Sequence, residues 1–388
     1  MLPYRITGAT LVTAEGSSRT DLFVHGGRIA ARPSRSAPSV DLSGYLIFPG
    51  FVNAHDHLTL DSVPCPATIG PRTNSYEWIE AFQPSFEHPD VVEARAVDEG
   101  VRAWHGGLKN LFSGVTSVAH HDPWHPAFDD PRFPVRVLKR FGWSHSLGLG
   151  HTYGPPVGQS YASTPSDEPW FIHLAEGTDA VAQGELSLLE RLGALGPNTV
   201  IVHGVGLTPS DTTRVIERGA SVVWCPTSNR FMLGGTLSPR RLFDAGRLAL
   251  GTDSRLTGGF DMLAELKSAG VSSDLSPREL LRLATTDGAR VLGLAGAGTL
   301  EPGAPADFVV MADEGGDPHE ALLATSRADL AAVLRAGEVQ VAELRVARKF
   351  QGGRAGLIPI RLDGRPKVCR DTVARPDACS LEPGLELA

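Results

Sequence analysis

Two histidines separated by one residue, His55 and His57, are the side chains of this sequence best suited to metal chemistry. They follow the apolar run 45–54, which has the composition of a buried strand. Side chains two residues apart on a strand point to the same face, so both imidazoles can reach one point. Zn²⁺ and similar ions take imidazole nitrogen as a ligand. The pair indicates a metal site, although the same spacing also arises often by chance.

Four further polar residues stand where later apolar runs end: His173, Glu176, His203 and Asp253. On a regular strand an odd separation would put His173 and Glu176 on opposite faces, so Glu176 must lie on a turn to share the site. Each residue also has an ordinary explanation. Glu176 would suit a surface, His203 a core position bonded to a backbone carbonyl, and Asp253 the cap of a helix.

The surrounding pattern predicts the elements that position these residues. From residue 48, β-rich apolar runs alternate with helical stretches over about 250 residues, which predicts a (β/α)8 barrel with its active site at the carboxyl ends of the strands. Both chain ends have short strands and turns. We therefore predict a barrel over 48–299 and a small β-sandwich domain built from 1–47 and 300–388, with a loosely held tail after Cys379.

Local signals refine this architecture. The sequence predicts helices that start near Thr208 and at the Ser276 capping box. The stretch between the second strand and the His173 strand has roughly 55 residues, which is short for two βα units of about 30 residues each. A shortened third or fourth unit, with a loop in place of a helix, is expected there. Within it, 136–140 reads as an amphipathic helix with solvated charges.

Composition narrows the class of partner. The net charge is −8 with no dense acidic run, which argues against a nucleic acid or an anionic membrane as partner. No stretch approaches the roughly 20 apolar residues of a membrane span, and the first residues do not read as a signal peptide. The four cysteines are widely spaced and form no CxxC, which favours a reducing compartment such as the cytoplasm.

Taken in order, these motifs resemble the amidohydrolase superfamily. They are HxH at 55–57, HxxE at 173–176, a lone His203, CPTSN at 225–229 and TDS at 252–254. The segments 48–53 and 298–307 match the pattern as well, so the resemblance covers nearly the whole chain. It is most similar to the branch that holds guanine, cytosine-type and S-adenosylhomocysteine deaminases and the triazine hydrolases. The motifs are specific for the family and not for a substrate.

The resemblance implies a set of metal ligands and catalytic groups. His55, His57, His173 and Asp253 would hold one divalent metal, with Zn²⁺ favoured and Fe²⁺ as an alternative. Glu176 would shuttle protons, His203 would polarise the water or the developing oxyanion, and Asp253 would also bond the hydroxide. The only lysine between 110 and 266 is Lys139, so the carboxylated lysine typical of binuclear members has no good candidate.

By the same resemblance, the expected activity is hydrolytic deamination of an aminated nitrogen heterocycle. Hydrolysis of a cyclic amide, another C–N bond or a C–halogen bond is the alternative, and an inactive metal-binding relative is a remote one. The predicted partner is a small-molecule substrate, and a homo-oligomer is left open. Candidate substrate contacts are Trp78 in a lid-like insertion after His57, with His121, His151 and Asn229.

Overall fold

The structure is a computed structural model that describes residues 3–32, 37–65, 69–149, 153–350 and 356–387. Seven short strands come first in the chain. They are β1 (Tyr4–Thr7), β2 (Thr10–Thr13), β3 (Gly16–Arg19), β4 (Leu22–His25), β5 (Arg28–Ala30), β6 (Ser39–Asp41) and β7 (Tyr45–Pro49). Strands β5, β4, β1 and β6 form one sheet, whereas β7, β2 and β3 join a second and larger one.

Eight parallel strands follow and form the central α/β part of the molecule. They are β8 (Phe51–Asp56), β9 (Val115–His120), β10 (Arg136–Val137), β11 (Gly142–Ser146), β12 (Trp170–Leu174), β13 (Thr199–His203), β14 (Ser221–Trp224) and β15 (Leu248–Leu250). Their sheet orders are β10-β9-β8 and β11-β12-β13-β14-β15, with all pairs parallel. The N–H groups of Thr252 and Asp253 both donate to the His55 carbonyl at 3.1 Å, so the chain after β15 is bonded to β8.

Fourteen α-helices were assigned within the described residues. They are α1 (Ser75–Phe82), α2 (Pro89–Ala96), α3 (Glu99–Phe112), α4 (Val157–Ser163), α5 (Ala180–Arg191), α6 (Pro209–Glu217), α7 (Pro226–Leu233), α8 (Arg240–Asp244), α9 (Met262–Ser272), α10 (Pro277–Arg282), α11 (Gly288–Val291), α12 (Pro318–Ala324), α13 (Leu344–Ala347) and α14 (Pro376–Cys379). Thr208 and Ser276 form complete capping boxes at the starts of α6 and α10, as predicted. None of the helices among the described residues is long and apolar enough to cross a membrane.

The short stretch between β9 and β12 departs from a regular βα repeat. A 3₁₀ turn (Pro126–Asp129) follows β9, and β10 runs into β11 with only four residues between them. The expected loss of a helix is therefore confirmed. The prediction of an amphipathic helix at 136–140 is wrong. Val137 and Leu138 are buried against β9, and the Leu138 N–H donates to the Val118 carbonyl. Lys139 is exposed and pairs with Asp129 at 2.7 Å, far from a metal-bridging position.

Six strands near the other end of the chain complete the large sheet. They are β16 (Phe308–Ala312), β17 (Leu330–Arg335), β18 (Glu338–Ala342), β19 (Leu357–Leu362), β20 (Arg365–Arg370) and β21 (Leu385–Leu387). The sheet order is β21-β19-β20-β18-β17-β16-β7-β2-β3, and β7 pairs with β16 from Tyr45↔Ala312 to Pro49↔Phe308. Gly50 then passes the chain directly into β8, where an added Cβ would overlap the Thr116 side chain at 2.4 Å.

The segment after Cys379 is held firmly, so the prediction of a loose tail is wrong. The carboxylate of Glu382 is fully buried and accepts two hydrogen bonds from Arg255, at 2.8 and 2.9 Å. It also pairs with Arg327 and lies 2.8 Å from His105. A buried carboxylate is stable only with such partners, so this contact fastens the tail to the interior.

Candidate active site

Donor atoms of three histidines and one aspartate converge at the carboxyl ends of β8, β12 and β15. His57 Nε2 lies 3.3 Å from His173 Nε2 and 3.9 Å from Asp253 Oδ1. His55 Nε2 lies 3.8 Å from the same Asp253 oxygen. Such mutual distances are those of ligand atoms around a common centre. The structure thus brings together the four residues that the sequence suggested as metal ligands.

Orphaned polar atoms make this cluster suited to a metal. Neither ring nitrogen of His55, which is fully buried, has a hydrogen-bond partner among the described residues. Leaving a buried polar group unpaired costs about 1–3 kcal/mol, which a metal bond would offset. Burial and the surrounding histidines hold the pKa values of His55 and His173 well below the usual range. Both rings are therefore neutral and have lone pairs for a metal.

Hydrogen bonds on the far side of two rings fix how they point. Asp122 bonds His57 Nδ1 at 2.7 Å, and the backbone carbonyl of His145 accepts from His173 Nδ1 at 2.9 Å. Each bond keeps the proton on Nδ1 and leaves Nε2 as the ligand atom. Although burial lowers it, the Asp122 carboxylate raises the pKa of His57 to about 9. A proton held there must leave before the ring can bind a metal, so the affinity for metal decreases as the pH is lowered.

Asp253 is fixed in a similar way. The hydroxyls of Ser228 and Thr257 donate to its Oδ2, at 2.6 and 2.9 Å, and leave Oδ1 toward the histidines. Burial raises the pKa of Asp253, but His57, His203 and the Ser228 hydrogen bond outweigh it and hold the value below the usual range. The carboxylate is therefore ionised and suited to a divalent ion.

Glu176 lies beside this cluster and faces His203. Its Oε1 is 3.3 Å from His203 Nε2, and burial raises the pKa of the carboxyl. Asn229 donates through Nδ2 to Thr236 and so presents Oδ1 to His203 Nδ1 at 2.9 Å. That contact leaves His203 Nε2 toward Glu176. Asn229, predicted as a substrate contact, is buried in this structure and orients the histidine.

Three non-glycine residues with left-handed backbone lie at the site. Ala175, His203 and Asp253 have φ values of 53°, 75° and 55°. This conformation costs an ordinary residue about 1–2 kcal/mol, so other contacts must hold it. At Ala175 it ends the strand alternation and swings Glu176 onto the turn. This is how a residue at odd spacing from His173 reaches the same site.

A cavity of about 330 Å³ opens from the cluster. One end is polar and carries Glu176, His203 and Asp253. The other is apolar and includes Trp78 and Phe82 from α1, whose rings stack with centroids 5.4 Å apart. Trp78 is buried, and its indole N–H has no hydrogen-bond partner among the described residues. The cavity therefore has an aromatic wall as well as a polar end.

The two remaining predicted contacts differ in outcome. His121 is buried behind the cluster, stacked on His173 with centroids 4.3 Å apart, and its Nε2 bonds the Ser144 carbonyl. It is not among the residues that line the cavity, and it belongs instead to a buried group with His55, His57 and His173. His151 lies outside the described residues.

Sequence reasoning missed a buried charge cluster beneath the site. Lys109 on α3 is fully buried, and its Nζ lies 3.1 Å from Asp56, 2.6 Å from Asp61 and 3.1 Å from the Asp253 carbonyl. Asp56, the middle residue of the His55-Asp56-His57 motif, thus points away from the metal ligands. The motif was visible in the sequence, but the pairing of Asp56 with a helical lysine was not.

Comparisons with known proteins agree with this geometry. The model of the family described as "Amidohydrolase family" matches residues 165–342. A 5-methylthioadenosine/S-adenosylhomocysteine deaminase from Nitratidesulfovibrio vulgaris is 26% identical, with 79% of this chain and 83% of the relative covered. An adenosine deaminase from Xanthomonas campestris with bound zinc has a TM-score of 0.68 at 21% identity, covering 87% and 92% of the two chains. Atrazine chlorohydrolase from Arthrobacter aurescens, complexed with zinc, gives 0.69 at 20% identity over 87% and 95%.

These matches make the chain similar to hydrolases of the amidohydrolase superfamily. The predicted resemblance to this superfamily is confirmed, and so is the prediction of an enzyme that acts on C–N bonds other than peptide bonds. The histidine cluster is suited to a metal ion, and the two solved structures named above hold zinc.

Proposed function

We propose that this enzyme hydrolyses an exocyclic amino group from an aminated purine-type heterocycle and releases ammonia. The observation that carries the proposal is the buried Glu176 carboxyl, with its raised pKa, between the metal cluster and the cavity. Such a carboxyl holds a proton more readily than an ordinary glutamate and can return it, as a general acid and base must. The names of the adenosine-type relatives support a purine as the ring.

One metal ion, with zinc favoured and ferrous iron as the alternative, would be held by His55, His57, His173 and Asp253. A divalent metal in this position supplies activated water at neutral pH. Lys139 is the only lysine between residues 110 and 266, and it is exposed. The absence of a buried lysine that could bridge two metals supports a single ion.

The protein groups then divide the proton transfers. Water adds its oxygen to the ring carbon that bears the amino group, and Glu176 takes the water proton and gives a proton to the adjacent ring nitrogen. With a proton on both ring nitrogens, His203 would donate from Nε2 toward the oxygen as charge develops there, while Nδ1 keeps its bond to Asn229. Glu176 next takes the remaining proton from the added oxygen and passes it to the amine, the C–N bond breaks, and ammonia leaves a carbonyl product. We assign Trp78 to the substrate ring, through the part of the indole that lines the cavity.

We also propose the finer architecture and setting. The eight parallel strands would close into one (β/α)8 barrel over 48–299, and the strands of 1–47 and 300–388 would form a separate β domain with sandwich packing. The bond from Thr252 to the His55 carbonyl supports closure on one side. The wide spacing of the four cysteines, with no CxxC, supports the cytoplasm as compartment, with a small molecule as the partner and no nucleic acid.

The test is ammonia release from zinc-loaded protein over adenosine, 5′-thioalkyl adenosines, guanine, aminopyrimidines and aminotriazines. Glu176→Gln keeps the shape of the side chain and its metal neighbours, and should lower kcat by about 10²–10⁴-fold with full metal content. Glu190→Gln, on the outer face of α5 with partners Arg214 and Arg218, is the matched control. Equal ammonia release by the Glu176→Gln variant would refute the assignment. Ring opening in place of ammonia release would instead support the alternative chemistry.

A further inference from the structure

A buried carboxylate outside the cavity holds the backbone beside Glu176. Glu185 lies on α5, is only 6% exposed, and is absent from the residues that line the cavity. Its Oε2 accepts a hydrogen bond from the Ala175 N–H at 2.6 Å. Ala175 is the left-handed residue that turns Glu176 into the site. A strained residue persists only where its surroundings hold it, and Glu185 supplies that contact.

The other oxygen of Glu185 reaches the wall of the cavity. The Tyr76 hydroxyl donates to Oε1, and the same hydroxyl oxygen accepts the Gly148 N–H at 2.9 Å. Tyr76 belongs to α1, two residues before Trp78. Gly148 lies in the loop after β11, and a side chain there would overlap the Tyr76 ring at 2.6 Å. One carboxylate thus connects three segments that surround the substrate cavity.

A second, shorter connection joins the same segments. The Ser75 N–H donates to the Glu176 carbonyl at 2.9 Å, and the Thr178 N–H donates to the Thr73 carbonyl at 2.7 Å. The start of α1 is therefore fixed to the turn that carries Glu176, and a shift in either one moves the other. Burial of Glu185 also raises the pKa of its carboxyl to about 7, despite the hydrogen bond from Tyr76.

We propose that Glu185 and Tyr76 form a positioning pair that holds Glu176 in register with the aromatic wall of the cavity. Glu185 sets the direction of the Glu176 side chain through Ala175, and Tyr76 carries the same constraint to α1. Neither residue touches the reacting atoms. The inference rests on the proposed role of Glu176, because a residue that does no chemistry needs no such support.

The first test compares Glu185→Ala, Glu185→Gln and Tyr76→Phe in zinc-loaded protein. Glu185→Ala should lower kcat by about 10–100-fold with normal zinc content, because small misplacement of a catalytic group is that costly. Glu185→Gln keeps an acceptor for Ala175 and should recover most of that loss. Tyr76→Phe leaves the Ala175 bond intact and should mainly raise KM. Glu190→Gln on the same helix is again the control.

The second readout does not depend on turnover. Hydrogen–deuterium exchange of a peptide that spans 170–178 should be faster in Glu185→Ala and close to wild type in Glu185→Gln. Unchanged kcat and exchange in Glu185→Ala would overturn the proposal, as would a Gln variant no better than the Ala variant. If Glu185→Ala does not fold, the kinetic constants of Tyr76→Phe and Glu185→Gln test the proposal. A raised KM in the first variant, with kcat close to wild type in the second, supports the pair, and the absence of both effects overturns it. If wild-type protein releases no ammonia from any compound, the proposed function fails, and exchange alone still tests the pair.

Discussion

Replacing Lys109 with methionine should destabilise the protein strongly, because it leaves two carboxylates unpaired in the interior. Methionine fills similar volume without charge. The ammonium lies 3.1 Å from Asp56 and 2.6 Å from Asp61, with all three side chains fully buried. Removing one partner of a buried ion pair costs about 3–5 kcal/mol, and two partners are stranded here, so we expect the upper end of that range.

The loss should also depend on pH. Burial and the Asp56 carboxylate already raise the pKa of Asp61 to about 6, although Lys109 opposes the shift. Without Lys109 that pKa rises further. A carboxyl whose pKa is higher in the folded than in the unfolded state favours folding at low pH, and this contribution is lost as pH rises through the folded value. The variant should therefore be less destabilised at pH 5.5 than at pH 8.

The assay is urea unfolding of metal-free protein at both pH values, which separates the charge cluster from metal binding. Lys139→Met removes an exposed lysine that pairs with the exposed Asp129, and it should leave the free energy of unfolding nearly unchanged. Adding Asp61→Asn to Lys109→Met should restore part of the loss, because one stranded charge is gone. A loss below about 1 kcal/mol, or no compensation in the double variant, would refute the reasoning.

Three further outcomes are expected. His173→Ala should keep the fold and lose the bound metal, measured as zinc per chain; full zinc content would remove it from the ligand set. The buried Glu265 carboxyl has its pKa raised by burial to about 8, so stability should fall as pH rises from 4.5 toward 8, and Glu265→Gln should flatten that fall in the melting temperature. Glu382→Ala leaves Arg255 and Arg327 without their buried partner, and should cost about 3–5 kcal/mol in urea unfolding. A loss of only a few tenths of a kcal/mol in the free energy of unfolding would show that the tail contributes little to stability.

The grouping of the proposed metal ligands could be predicted because its signals are local. His55, His57, His173 and Asp253 each follow an apolar strand, and the carboxyl ends of neighbouring parallel strands meet at one edge of a sheet. The position of Glu176 was harder to predict, because only the left-handed backbone of Ala175 brings it to that edge. A sequence can show that such a turn is required, but it does not show which contact holds it.

The supporting groups could not be predicted because they depend on contacts between distant elements. Lys109 lies in an ordinary amphipathic helix, and only the packing of α3 against β8 and β9 pairs it with Asp56. Glu382 looks like part of a polar tail until the arginines that surround it are placed. The charged residues around Arg136 favour a solvated helix, whereas Arg136 and the buried Val137 in fact form β10.

The pairing of β7 with β16 has a consequence for the growing chain on the ribosome. Ile47 and Phe48 are fully buried in the folded protein, but their partners Val310 and Val309 are made much later. At about 5–20 residues per second, the wait is on the order of tens of seconds. During that time an apolar strand edge is exposed next to an assembling set of parallel strands, and such edges invite aggregation. Protection of this edge by chaperones during synthesis should therefore matter more for yield than the stability of the finished protein.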